Sequence, residues 1–292
     1  MDSALILAGI ASGSLYGLVA VGFNILARPT NVFNLAQGEI VMLGGMVGAS
    51  ALLFLACPWL IAAGLAIVAG AVISLLEESV AVAPVLRRSA TGTAWVTTTL
   101  AFSLILSNLA GHIWGPDPLK MSPPAPLSIA SFDLLGVRTN SYQLSMIAVT
   151  IIIVLLIERF YTTRSGKAVL AVAEDREAAL LRGIDPERLS RWSFILGGGF
   201  AALTGVLAAP MLNASTDLGP LLLLKGFEAA AVGGIGSNRG ALLAGYILGI
   251  SEAIGAMLLT PGYQQASTFT LLLVVLMIRP QGLFGRHEAR HV

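Results

Sequence analysis

Read as apolar and polar positions, the chain is a succession of long runs nearly free of Asp, Glu, Lys and Arg. Each is close to the roughly 20 apolar residues that a helix needs to cross the hydrocarbon of a bilayer. The runs cover residues 3–27, 32–56, 59–76, 94–111, 141–157, 192–212, 221–237, 240–259 and 262–278. The first is too long for the core of a secretory signal and begins directly after Asp2, so it is expected to stay attached as a span. Two runs are interrupted. The second contains Glu39 and the seventh contains Lys225 and Glu228, and both are rich in glycine, which marks broken or re-entrant segments. The pattern therefore predicts an all-α, polytopic integral membrane protein with eight or nine transmembrane helices, some broken or re-entrant, forming a single domain over residues 1–292.

Basic residues orient these runs, because Lys and Arg accumulate on the cytoplasmic side. The segment 158–191 holds Arg159, Arg164, Lys167, Arg176, Arg182, Arg188 and Arg191. If every run crosses, Arg28, Arg87, Arg88, Arg239, Arg279, Arg286 and Arg290 fall on that same side. Of the 17 basic residues only Lys120, Arg138 and Lys225 are then left outside. The segment 112–140 becomes extracytoplasmic, and Pro116, Pro118, Pro123, Pro124 and Pro126 predict an extended cover there rather than a helix. If the second run dips in and returns, eight crossings remain, the amino terminus is inside, and the later assignments are unchanged.

Composition agrees with this class. Hydrophobic residues make up 56% of the chain and charged residues 11%, with a mean hydropathy of +0.84, whereas a soluble domain carries about a quarter charged residues. A net charge of +1 offers no basic face for nucleic acid, and the 32 glycines suit helices that pack closely in lipid. Cys57 is the single cysteine, so no intramolecular disulfide forms, and its place in an apolar stretch points to helix packing. The spacings Gly9, Gly13, Gly17 and Gly245, Gly249 read as ladders that bring backbones together.

Enzyme chemistry finds little support. His287-Glu288-Ala289-Arg290-His291 fits H-E-x-x-H, but it lies in a charged tail, and His112, the one remaining histidine, is placed across the membrane. A solvated tail against lipid headgroups accounts for it. The nearest approach to a phosphate-binding loop, Ser165-Gly166-Lys167-Ala168, has Tyr161 where the first glycine belongs and Ala168 where the magnesium-binding hydroxyl belongs. Any ATP hydrolysis must come from a partner.

Three other groups stand out. Glu174 to Gly183 reads as a short helix with Gly183 as its C-cap, and Asp185-Pro186 starts the helix that enters the membrane at Trp192. Such a surface pair is either a docking element, through small residues such as Ala178 and Ala179, or an ordinary amphipathic connector. Within the runs, Asn34, Gln37, Glu39, Asn108, Glu228 and Glu252 are polar enough to line a pathway, or else to bond neighbouring helices. Glu77 and Glu78 follow an apolar run and precede Arg87 and Arg88, which places them at the cytoplasmic interface. Lys225 and Glu228, three apart, are expected to neutralise each other near the outer interface.

Four stretches together resemble the permease subunits of bacterial ABC importers for branched-chain amino acids. They are Asn31-Val-Phe-Asn-Leu-Ala-Gln-Gly-Glu39 with the following Ile-Val-Met-Leu-Gly-Gly45; Glu177-Ala178-Ala179 with Gly183, which matches the E-A-A-x-x-x-G docking core; Leu224-Lys-Gly-Phe-Glu-Ala-Ala-Ala-Val-Gly-Gly-Ile-Gly-Ser237 with Gly240-Ala241; and Arg279-Pro-Gln-Gly-Leu-Phe-Gly285. The turn Ala27-Arg-Pro-Thr30 departs from the aromatic and glycine usual there. The resemblance implies a non-enzymatic permease in the bacterial inner (plasma) membrane that moves leucine, isoleucine and valine inward. Its relatives also include permeases for urea, amides or other amino acids, and an ion-coupled secondary transporter is the alternative from another class. No cofactor is implied in this chain, with ATP and magnesium on partner subunits. The implied partners are a second homologous permease, two ATP-binding cassette subunits, an extracytoplasmic solute-binding protein and membrane lipid. Coupling would use Glu177, Ala178, Ala179 and Gly183 in the loop 158–191. Pathway candidates are Asn34, Gln37, Glu39 and Glu228, in a conduit expected to lack any acid and base pair on facing helices and to leave no room for a fused binding domain or ATPase.

Overall fold

The computed structural model describes residues 3–30, 32–88, 94–134, 136–258 and 261–285, with the side chains of Arg87, Arg88, Leu134 and Pro261 left aside. Asn31 and the tail at 286–292, which carries the His287 to His291 motif, lie outside the described residues. The chain is built from helices α1 (Ser3–Thr30), α2 (Gln37–Leu53), α3 (Trp59–Glu77), a π-helical turn (Glu78–Val82) leading into α4 (Ala83–Arg88), α5 (Ala94–Trp114), α6 (Ser141–Tyr161), α7 (Arg164–Glu174), α8 (Arg176–Leu181), α9 (Pro186–Leu212), α10 (Leu218–Gly233), α11 (Asn238–Leu258) and α12 (Gln264–Ile278). Among the described residues six helical stretches are long and apolar enough to cross a membrane, and α2 and α12 are shorter apolar helices. The all-helical, polytopic membrane class is therefore observed.

The interrupted runs are where helix and expectation part. Residues 32–36 are not helical, because the Asn34 side chain accepts the Ala36 amide at 2.7 Å and turns the backbone before α2 begins at Gln37. At the seventh run, α9 ends at Leu212, Asn213 takes a left-handed φ of 62°, and α10 starts afresh at Leu218. Cys57 lies in the turn between α2 and α3 rather than within a helix, a correction to its expected packing role. Residues 115–131 run extended, as their prolines predict, and then form an antiparallel hairpin of β1 (Phe132–Leu134) and β2 (Val137–Thr139).

Packing divides the chain into two compact units, one from described residues within 1–24, 125–156 and 224–292, the other from those within 25–124 and 157–223. In the second unit α2, α3 and α9 form the core. A Cβ on Gly205 of α9 would collide with the Val41 carbonyl of α2, and one on Gly44 of α2 with Ala202 of α9, so this crossing exists only because both positions lack a side chain. In the first unit a Cβ on Gly13 would sit 2.5 Å from the Gly245 carbonyl, and one on Gly9 2.5 Å from that of Gly249. The two glycine ladders read from the sequence are thus facing halves of one α1–α11 contact.

Candidate functional site

The second unit buries a polar group where α2, α3 and α9 meet. Asn34 is fully buried, and its Nδ2 donates to Glu77 Oε2 at 2.7 Å. Gln37, in the first turn of α2, reaches the Gly197 carbonyl of α9 at 3.5 Å, while its Oε1 has no hydrogen-bond partner. Ser74 and Glu77 lie one turn apart on α3, and Ser74 packs against Gly198. Glu77, the last residue of α3, is 0% exposed, so this acid near the helix end is enclosed by protein. Its neighbour Glu78 turns instead toward Arg191, 4.0 Å away, whose side chain is about half exposed. Glu39 points another way: its carboxyl group lies near Ser103 of α5, and its Oε2, which has no hydrogen-bond partner, would meet a Cβ on Gly219 at 2.7 Å. Asn34, Gln37 and Glu77 therefore come together, and Glu39 sits beside the start of α10. Asn108, by contrast, is exposed and donates to its own helix at the Leu104 carbonyl, 2.7 Å away.

The first unit buries a second group. Lys225 Nζ on α10 lies 2.8 Å from Thr268 Oγ1 on α12 and 3.6 Å from a carboxylate oxygen of both Glu228 on α10 and Glu252 on α11. Tyr16 on α1 donates to Glu252 Oε2 at 2.6 Å, and the ammonium lies 5.8 Å from the centre of the Tyr16 ring. Lys225 precedes Gly233, the last residue of α10, by eight positions, about 12 Å along the helix. The pairing of Lys225 with Glu228 is present, but both are buried within the helices, and Glu252 adds an acid on the neighbouring helix. Lys225 therefore stands in the middle of α10 rather than at its end, and with Glu252 it forms an acid and base pair on neighbouring helices. Tyr16 is the member that sequence reasoning missed, since nothing in an apolar run marks one tyrosine as the partner of Glu252; Glu77 and Lys225 were legible as charged residues, but their partners Asn34 and Glu252 needed the fold.

At one end of the second unit, Arg28 and Thr30 of α1, Glu78, Arg176 of α8, and Glu187 and Ser190 of α9 line a crevice of about 320 Å³. The Arg28 guanidinium stacks 4.1 Å over the ring of Tyr161 at the end of α6. This explains the unusual Ala27-Arg-Pro-Thr30 sequence. The helix continues through Pro29 because the Thr30 hydroxyl donates to the Leu26 carbonyl at 2.6 Å, and Arg28 is fixed by the aromatic face.

The same end carries the coupling candidates. Asp175 caps α8 by accepting the amides of Glu177 and Ala178, both at 2.9 Å, and Gly183, at φ 78°, closes it with Ile184 N–H on the Ala179 carbonyl at 3.0 Å and its own N–H on that of Leu180 at 2.9 Å. Glu177, Ala178 and Gly183 are exposed, as is 90% of Leu181, but Ala179 is buried against its own chain at 3%. A docking surface here is made without Ala179. The helix α7 before it went unrecognised in the sequence; its buried Val169 and Val172 seat it, and Thr163 caps it by accepting the Gly166 amide at 3.2 Å.

The late glycine-rich segment and the carboxy-terminal signature prove to be one construction. Leu283 and Phe284 donate to the carbonyls of Val232 and Gly233 at 2.8 and 3.1 Å, which closes the end of α10. Gly236, at φ 84°, donates to Asn24 Oδ1 of α1 at 2.8 Å.

Comparison with known proteins follows this geometry. The family model described as branched-chain amino acid transport system / permease component matches residues 5–279. A high-affinity branched-chain amino acid transport system permease protein, LivH of Salmonella typhimurium, is 30% identical over 298 residues, 97% of this chain and 96% of its own length. BraD of Pseudomonas aeruginosa, which bears the same description, is 30% identical over 297 residues, 97% of this chain and 96% of its own. A probable branched-chain amino acid transport permease protein of Methanocaldococcus jannaschii is 30% identical over 291 residues, 94% and 90% of the two chains. Among solved structures, PsaBC from Streptococcus pneumoniae in complex with Fab superposes with a TM-score of 0.52 over 94% of this chain and 91% of that one, at 16% identity, a likeness of fold alone.

Proposed function

The chain belongs to the branched-chain amino acid transport system permease family, and from that premise we propose that it is the membrane permease of an ABC importer that carries leucine, isoleucine and valine inward. It is a multi-pass inner-membrane protein and a permease rather than an enzyme. In the proposed complex it pairs with a second homologous permease and two ATP-binding cassette subunits, receives substrate from an extracytoplasmic solute-binding protein, and holds no cofactor of its own. ATP and magnesium act on the partner subunits. The observation that carries this reading is the family match across nearly the whole chain, supported by an exposed, doubly capped α8 placed between the ends of α6 and α9.

The proposed topology has nine crossings, with α1 running inward. Its support lies in the second unit. Arg28 and Thr30 line the same crevice as Arg176 and Glu187, so the end of α1 lies with the cytoplasmic segment. Helix α2 runs parallel to α9, with Gln37 beside Gly197 and Gly48 beside Val206, and Trp114 at the end of α5 donates to Ser50 late in α2 at 2.7 Å. Helix α10 is then the short crossing, 16 residues or about 24 Å, reached from Ala214, which bridges to Leu119 of the outer cover.

Reconstituted vesicles test the reading. Leucine uptake that requires the binding protein and internal ATP is the expected result, with labelled urea and a short amide as competing cargoes. Uptake by this chain alone, driven by a proton or sodium gradient, would overturn it in favour of a secondary transporter.

A further inference from the structure

We propose that Glu228 holds one small monovalent cation, a proton or an alkali-metal ion, within the buried cluster it forms with Lys225, Glu252, Tyr16 and Thr268. The argument begins with charge. The cluster contains two carboxylates and one ammonium, and no other basic side chain among the described residues pairs with either acid. Lys225 and Glu228 each have a side chain 3% exposed, and Glu252 one 17% exposed, so water does not carry the remaining negative charge. A lone charge in a low-dielectric interior is neutralised by a counter-ion or by a proton.

Hydrogen bonding decides which carboxylate takes the cation. Glu252 accepts the Tyr16 hydroxyl on one oxygen at 2.6 Å and faces Lys225 with the other at 3.6 Å. Glu228 has no donor on either oxygen, and both oxygens are buried. Its neighbours direct their donors elsewhere. Lys225 stands 3.6 Å away, beyond hydrogen-bond length, and directs its ammonium to Thr268 Oγ1 at 2.8 Å. Thr268 lies near Glu228, but a hydroxyl has one proton to give, and the Gln265 carbonyl takes it at 3.0 Å. From α1 the facing group is Tyr16, committed to Glu252; from α11 it is Glu252 itself, whose two oxygens face Tyr16 and Lys225; from α12 it is Thr268. Each oxygen of Glu228 is therefore an acceptor awaiting a proton or a hard cation, which oxygen ligands favour. A cation there makes the cluster neutral and lets one site tie α1, α10, α11 and α12 together.

The test reads Glu228 directly, without transport, so it stands apart from the proposed function. The permease, assembled with its partner subunits in lipid, is compared with its Glu228→Gln variant by infrared difference spectroscopy at neutral pH in choline buffer, and by equilibrium binding of radioactive sodium and rubidium. A carboxylic-acid carbonyl band that is present in the wild type, shifts in D2O, is lost in Glu228→Gln and persists in Glu39→Gln identifies a proton. One alkali ion bound per chain and lost in the variant identifies the metal ion. A difference spectrum that shows only a lost carboxylate, with neither ion bound, overturns the proposal. If Glu228→Gln does not assemble, Glu228→Ala provides the same differences.

Discussion

Asn34 is a single amide that holds three pieces of chain. Its oxygen turns the backbone at Ala36 so that α2 can start, and its nitrogen gives Glu77 the one hydrogen bond assigned to that carboxyl group. Asn34→Ala removes both, leaving a buried carboxylate without its donor, and should cost about 1–3 kcal/mol. Asn34→Asp keeps the acceptor but sets a second carboxylate against Glu77, so it should lower the thermal midpoint of the purified protein further than alanine does; equal midpoints would refute this account. Glu39 behaves differently, because its free oxygen faces the first turn of α10 rather than a partner amide. Glu39→Gln keeps the shape and removes the charge, so uptake should fall while assembly with partner subunits persists, and normal uptake would assign Glu39 to structure alone. The adjacent acids Glu77 and Glu78 show why residue roles were only partly legible. Successive helix residues point about 100° apart, so one of the pair meets Asn34 and the other Arg191, and a reading by distance from the nearest charged segment gives both the same place near the cytoplasmic interface without telling their partners apart. The polar group at the start of α2 was legible through Asn34 and Gln37 in an apolar run; its third member, Glu77, lay 43 positions from Asn34 and needed the fold.

Helix α8 is six residues long, too short to persist by propensity, and its two caps define it. Asp175→Ala should cost about 1 kcal/mol of local helix stability. If α8 docks on an ATPase subunit, that loss should appear as weaker substrate-stimulated ATP hydrolysis with unchanged membrane insertion. At Gly183 a Cβ meets nothing within 4 Å, so Gly183→Ala is disfavoured only by the left-handed backbone, about 1–2 kcal/mol. Gly183→Glu adds bulk and charge on the exposed side and should abolish coupling where alanine merely weakens it. Equal coupling in the two variants would place the effect in the backbone and not in a docked surface. The elements themselves were legible to differing degrees for a physical reason. Uninterrupted apolar runs mark the long spans, since crossing lipid requires them, and cap residues mark helix ends locally, Asp175 and Gly183 for the short α8 and Asp185 for the start of α9. The starts of α2 and α10 were not readable from hydrophobicity, because Val32 to Ala36 and Asn213 to Asp217 are set by side-chain turns and by packing of other helices.

At the scale of the whole molecule, the motifs find partners within each compact unit: in the first, Gly282 to Phe284 closes the α10 helix that carries Lys225, and in the second, α8 stands at the crevice that ends α1. That crevice supports the proposed nine crossings, where basic-residue counting left eight or nine open because the direction of α1 rested on Arg28 alone. With nine crossings Arg28 lies on the cytoplasmic side, beside Arg176 and Glu187. With eight, the second run returns to the face it entered from, and Arg28 is external. The chain has one cysteine, Cys57, so Cys57→Ser supplies a thiol-free background. In that background Arg28→Cys should resist a membrane-impermeant maleimide added to intact cells and react once the inner face is opened, as an Arg176→Cys control does. A Lys120→Cys control, on the segment that the proposed topology puts outside, should react from outside. Labelling of Arg28→Cys in intact cells would reverse α1, restore the eight-crossing topology and turn α2 into a re-entrant helix, so this one position decides how the first two helices are threaded.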